Sequence, residues 1–95
     1  MLSLTTPDIL KKIAELAADL TPPSEIAVLL GIDPDIFKSE LANKHSPAHE
    51  AYFRAKAETA HLLRKQELEF ARVGSPLAVQ MTGSFLHDMT ADEDS

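Results

Sequence analysis

Proline placement constrains this chain more than any other feature of its sequence. Five of the six prolines directly follow a residue that caps helices well: Thr6-Pro7, Thr21-Pro22, Asp33-Pro34, Ser46-Pro47 and Ser75-Pro76, while Pro23 follows Pro22. Proline suits a first helical turn because the N–H it lacks would be unpaired there, and Ser, Thr or Asp before it can accept from a free backbone donor. The five dipeptides therefore predict five helix starts. Gly31 and Gly74 mark stops, since glycine enters the left-handed C-terminal conformation without a Cβ penalty. The reading is helices over about 7–20, 22–30, 34–43, 47–73 and 76–89.

Composition points the same way. Ala and Leu number 13 each, against 8 for Val and Ile together, and the β-branched residues lose χ1 freedom in a helix that Ala and Leu do not. The expected fold is all-α: a three-helix helix-turn-helix head over 1–45, a long helix with a short antiparallel return helix over 46–89, and an acidic, frayed tail over 90–95. The chain has 95 residues and no cysteine, which leaves out a multi-domain enzyme, a disulfide framework, a zinc ribbon and a thiol nucleophile. No apolar run approaches the roughly 20 residues of a membrane span, and the N-terminus lacks a basic-then-apolar leader pattern. A soluble, cytoplasmic protein without a membrane partner is expected.

The net charge of −6 is unevenly spread. Residues 1–45 carry four basic and seven acidic side chains, residues 46–90 five of each, and Asp92, Glu93 and Asp94 supply the remaining −3. A gross basic footprint is absent, so any nucleic-acid contact rests on a few placed side chains.

The first three helices offer compact apolar stripes: Ile9, Ile13, Leu16 and Leu20; then Ile26, Leu29 and Leu30; then Ile36, Phe37 and Leu41. Between the second and third lies the three-residue turn Gly31-Ile32-Asp33. Two short helices joined by a tight, glycine-containing turn make a helix-turn-helix. In the usual docking of that motif the second helix enters the major groove. Lys38, Ser39 and Asn43 would then face base edges or phosphates, with Lys44, Lys11 and Lys12 adding phosphate contacts. Asp33 and Asp35 read as first-turn acids that complement the helix dipole.

The fourth helix carries alternating charges at i,i+4 spacing, such as Glu50/Arg54 and Arg54/Glu58, as an exposed face should. One seam runs through Tyr52, Ala55, Thr59, Leu62, Phe70 and Val73, and a neighbouring one through Phe53, Ala57, Ala60 and Leu63. In the return helix Leu77, Ala78, Met81, Phe85 and Met89 share an arc that Leu86 and Val79 widen to about 200°. One partner helix cannot bury so wide an arc. Either the hairpin folds back over the head or other copies cover it, and a patch of this size points to self-association. The candidate interface is Tyr52, Phe53, Leu62, Leu63, Phe70, Val73, Leu77, Met81, Phe85 and Leu86.

The stretch Glu25-Ile26-Ala27-Val28-Leu29-Leu30-Gly31-Ile32, followed by a long helix and the element Gly74-Ser75-Pro76-Leu77-Ala78, resembles the small subunit of phage terminase over about residues 7–89. The resemblance implies a ring-forming homo-oligomer whose heads touch packaging-site double-stranded DNA and which recruits a large terminase subunit, the packaging motor. A dimeric transcriptional regulator and a helix-turn-helix adaptor that binds only protein are the alternatives the residues leave open.

Other chemistries find little footing. His45 and His49 are four apart, but Ser46-Pro47 starts a helix between them and no third ligand stands at recognisable spacing. There is no glycine-rich phosphate loop and no nucleophile–base pair. No enzyme activity, metal or cofactor is expected.

Overall fold

The computed structural model describes residues 6–73 and 77–94, and the side chains within that range apart from those of residues 71, 73 and 77–82. It is all-helical, with the order α1 (Pro7–Ala18), α2 (Pro23–Leu30), α3 (Pro34–Ala42), α4 (Pro47–Val73) and α5 (Leu77–Glu93). The expected stop at Gly74 and start at Ser75-Pro76 lie outside the described residues.

Several helix boundaries have a local cause. Asp33 caps α3, its Oδ1 accepting from the N–H of Asp35 at 2.9 Å and of Ile36 at 3.2 Å. Ser46 Oγ accepts from the Ala48 N–H at 3.2 Å at the start of α4. Thr6 precedes α1 without a side-chain cap, and α2 begins one residue later than expected, with Pro22 rather than Thr21 in the cap position. Gly31 closes α2 at φ 71°, and the Ile32 N–H reaches back to the Ala27 carbonyl at 2.8 Å. The same closure ends α1 two residues early, but there the left-handed residue is Leu20 at φ 62°. The Thr21 N–H bonds the Leu16 carbonyl at 3.0 Å and the Leu20 N–H bonds that of Ala17 at 2.9 Å, the paired bonds of a Schellman ending.

One core unites all five helices. Ile13, Ala17 and Leu20 from the α1 region meet Ile26 and Ala27 of α2, Ile32 of the turn, Phe37 and Leu41 of α3, Ala48 and Tyr52 of α4, and Met89 of α5. The expectation from sequence is a separate three-helix head over 1–45. Instead α1 lies along α4, and the Thr59 hydroxyl donates to the carbonyl of Ala18 at 2.7 Å.

Two further expectations change. Thr90 to Glu93 do not fray but complete α5, because Met89 is fully buried and its neighbours have partners on α2 and α4. And α5 folds back on the head with Leu86 and Met89 against the common core, so part of its wide apolar arc is satisfied within the chain. Both helices dock through the ends farthest from their connection. Toward the connection α4 exposes Leu62 and Leu68, and α5 exposes Phe85. The radius of gyration, 14.5 Å, exceeds the roughly 12 Å of a compact chain of this length. Among the described residues no helix is long and apolar enough to cross a membrane.

Candidate nucleic-acid interface

The turn from α2 to α3 holds the two helices through Ile26, Ile32 and Phe37, all buried, and so presents the outer faces of both at fixed positions. The side chains singled out from the sequence divide between two faces of α3. Lys38 lines a cleft of about 360 Å³ together with Leu41, Ala42, Lys44, His49, Phe53, Pro23 and the α5 residues Glu93 and Asp94. Ser39 belongs to the opposite side, with Asp35, Ile36 and Glu40. Residues 38 and 39 are about 100° apart on a helix, and the fold turns one toward α5 and the other outward. Asn43 is exposed, but its Oδ1 accepts from the His45 N–H at 3.0 Å and helps form the turn into α4. Lys44 is exposed. Lys11 and Lys12 are exposed on α1 and line neither hollow.

The cleft is built around charges that no local pattern announced. Pro22 and Pro23 open α2 without backbone donors, so Ser24 carries the first free N–H. That N–H donates to Asp92 Oδ2 at 2.7 Å, and the Ser24 hydroxyl donates to Oδ1 at 2.8 Å. Lys38 Nζ stands 3.5 Å from the same carboxylate. Burial by itself would push the Asp92 carboxyl up. The two Ser24 donors and the Lys38 ammonium together outweigh it and hold the group below the usual carboxylate range. An acceptor 68 residues away in the chain thus caps α2.

Glu93 makes the neighbouring contact. It accepts from the Tyr52 hydroxyl at 2.5 Å and pairs with Lys56 Nζ at 2.6 Å, both members of that ion pair being mostly buried. Lys56 also donates to Thr90 Oγ1 at 3.1 Å. Burial first, then the hydrogen bond and the negative charge of Glu93, push the Tyr52 phenol well above its ordinary value, so it stays neutral. On the far wall His49 Nδ1 lies 2.6 Å from the Leu41 carbonyl, capping the end of α3, and its ring packs on Phe53 at 4.6 Å. His49 is therefore committed to structure, and no group of three or more metal-ligating side chains occurs among the described residues.

The residues proposed as an oligomer interface fare differently from one another. Tyr52 is wholly inside the chain's own core, and Phe53, Leu63 and Leu86 pack partly against it. Leu62 is 57% and Phe85 55% exposed, and Phe70 is half-buried. The side chains of Val73, Leu77 and Met81 lie outside the described set. The burial of Tyr52 follows from its hydroxyl partner on α5, which a reading of α4 alone could not supply.

Ser24, Asp92, Glu93 and Lys56 were missed from sequence. The available signals were a helix opening on two prolines without a side-chain cap, and Glu93 falling on the Leu86–Met89 stripe at i+7 and i+4. No protein-family model, curated protein or solved structure matches this chain.

Proposed function

We propose that the chain is a DNA-binding helix-turn-helix protein that works as an assembly of copies, in the manner of a terminase small subunit serving a separate packaging motor. The observation that carries the reading is the rigid α2–turn–α3 unit with Lys38 and the first free N–H of α2 converging on one anion. That is the combination of helix N-terminus and cation by which such motifs hold a backbone phosphate. The exposed Leu62, Leu68 and Phe85 on the α4–α5 arm support contact between copies. With few cations per head, affinity depends on several tethered heads acting together.

The experiment has two arms. Titration of a labelled random-sequence duplex at about 50 mM salt should show binding that weakens steeply as salt rises, and Lys38→Ala and Lys44→Ala should each lower the salt slope by about one. Light scattering on the full chain should return a mass of many copies. A monomer would remove the assembly, and absence of binding at low salt would remove the DNA.

A second reading, a protein-docking adaptor, is favoured by one observation. The outer faces of α2 and α3 expose Val28 at 70%, Leu29 at 64% and Ile36 at 61%, near the acids Glu25, Asp33 and Asp35, which are also exposed. Apolar patches mark protein contacts, and acids repel phosphates. Absent DNA binding at low salt would turn the function to this reading.

A further inference from the structure

The last turn of α5 occupies the place on the head where the proposed nucleic-acid contact would be made. We infer that this turn is an autoinhibitory strap. Asp92 holds the seat of a backbone phosphate, and the end of α5 must lift before the head engages a duplex. This rests on the DNA-binding reading and adds a control to it.

The geometry supports the substitution of one anion for the other. A phosphodiester presents two non-bridging oxygens and a single negative charge. Asp92 presents two carboxylate oxygens and a single negative charge, one oxygen on the Ser24 N–H at 2.7 Å and the other on its hydroxyl at 2.8 Å. The Lys38 ammonium completes the set at 3.5 Å. These donors come from both helices of the helix-turn-helix, so the seat exists only where α2 and α3 converge. The occupant is also the wrong charge for any duplex that approaches, and Glu93 and Asp94 stand beside it on the cleft that Lys44 lines. A simple helix cap would need one acceptor. Here Asp92 pairs with Lys38 of α3 while Glu93 and Asp94 line the cleft beside it.

The strap is rooted at Met89, and lifting its last turn breaks the contacts of Glu93 as well as those of Asp92. Met89 is fully buried, and Glu93 is tied to Tyr52 and Lys56. Asp92 is about a fifth exposed, and its contacts with Ser24 and Lys38 are charge-assisted ones of the kind a phosphate oxygen can also accept. When the binding-competent state is a minor population, apparent affinity falls by that population fraction.

The test compares Asp92→Asn with Asp94→Asn in the full chain, using a fluorescein-labelled random-sequence duplex of about 20 base pairs at about 50 mM salt. Both variants remove one negative charge, but Asp94 makes no contact with Ser24 in the seat. Asp92→Asn is expected to tighten binding about tenfold more than Asp94→Asn, and adding Lys38→Ala to Asp92→Asn should abolish most of the gain. Equal gains from the two variants would overturn the strap while leaving DNA binding intact. No binding by any variant would overturn the strap together with the DNA reading. A second measurement uses the unaltered protein: hydrogen exchange at residues 90–94 should quicken when duplex is added, and unchanged or slowed exchange there would overturn the strap.

Discussion

Leu20 shows how a single residue is held in a conformation its side chain disfavours. At φ 62° its Cβ crowds the backbone, a cost of about 1–2 kcal/mol. The side chain is 8% exposed and belongs to the common core, and truncating such a leucine costs about 2–5 kcal/mol. Burial wins. Leu20→Gly relieves the strain yet should lower stability by about 1–2 kcal/mol, read from urea unfolding at unchanged m. A stabilised variant would show that the strain dominates. Titration follows the same residue-level logic. The Asp92 carboxyl is depressed in the folded chain, so its contribution is present above the unfolded value near 3.9 and is lost as pH falls through the lower folded one. The Tyr52 phenol is raised, so its contribution is present below about pH 10 and is lost as pH climbs above that. Thermal melts across pH should therefore lose stability at both extremes. Asp92→Asn should blunt only the acid limb and Tyr52→Phe only the alkaline one. An acid limb unchanged by Asp92→Asn would place the sensitivity elsewhere.

At the scale of elements, the residues that define helix starts were legible because capping is local. Asp33 and Ser46 cap as their dipeptides suggest, and Gly31 ends α2 in the conformation that glycine favours. The i,i+4 pairs of α4 form as spaced, Glu50–Arg54 at 3.8 Å and Arg54–Glu58 at 3.5 Å, all more than 70% exposed and worth at most a few tenths of a kcal/mol. The candidate site was legible in part. Lys38 was chosen because it sits on the second helix of the motif and Lys44 as a phosphate contact just beyond it, and the two do line one cleft. Their counter-charges were not, because Asp92 and Glu93 lie on an element whose distance in sequence hides its nearness in space. An acidic run near the end of a sequence reads as solvated by composition alone. Only the packing of Met89 turns that run toward Ser24 and Lys56.

For the whole molecule, the decisive fact is that one core draws on every helix. A fragment of residues 6–45 would keep α1, α2 and α3 but lose Ala48, Tyr52 and Met89 from the core, the Asp92 cap of α2 and the Thr59 bond to α1. Helices of 8 to 12 residues are marginal in water without such packing. The fragment should show weak helical circular dichroism and no cooperative melt, whereas the full chain melts cooperatively. A cooperative fragment would mean the head folds by itself. The division into head and hairpin, natural when reading along the chain, therefore separates residues that stabilise one another. Sequence periodicity gives each helix an apolar face without saying which other face will meet it, and here the fourth and fifth helices close over the first three.

The Asp92–Ser24 contact has a practical consequence for anyone who handles the protein. Whatever is fused to the chain after Asp94, whether a purification tag, a fluorophore or a tether to a surface, hangs within one helical turn of the groups that cap α2 and neutralise Lys38. A bulky or basic extension there would tug on the folding core and alter the charge of the face under study in one stroke. The safer handle is an exposed position on α4, such as Arg64 or Lys65, where nothing in the head depends on it.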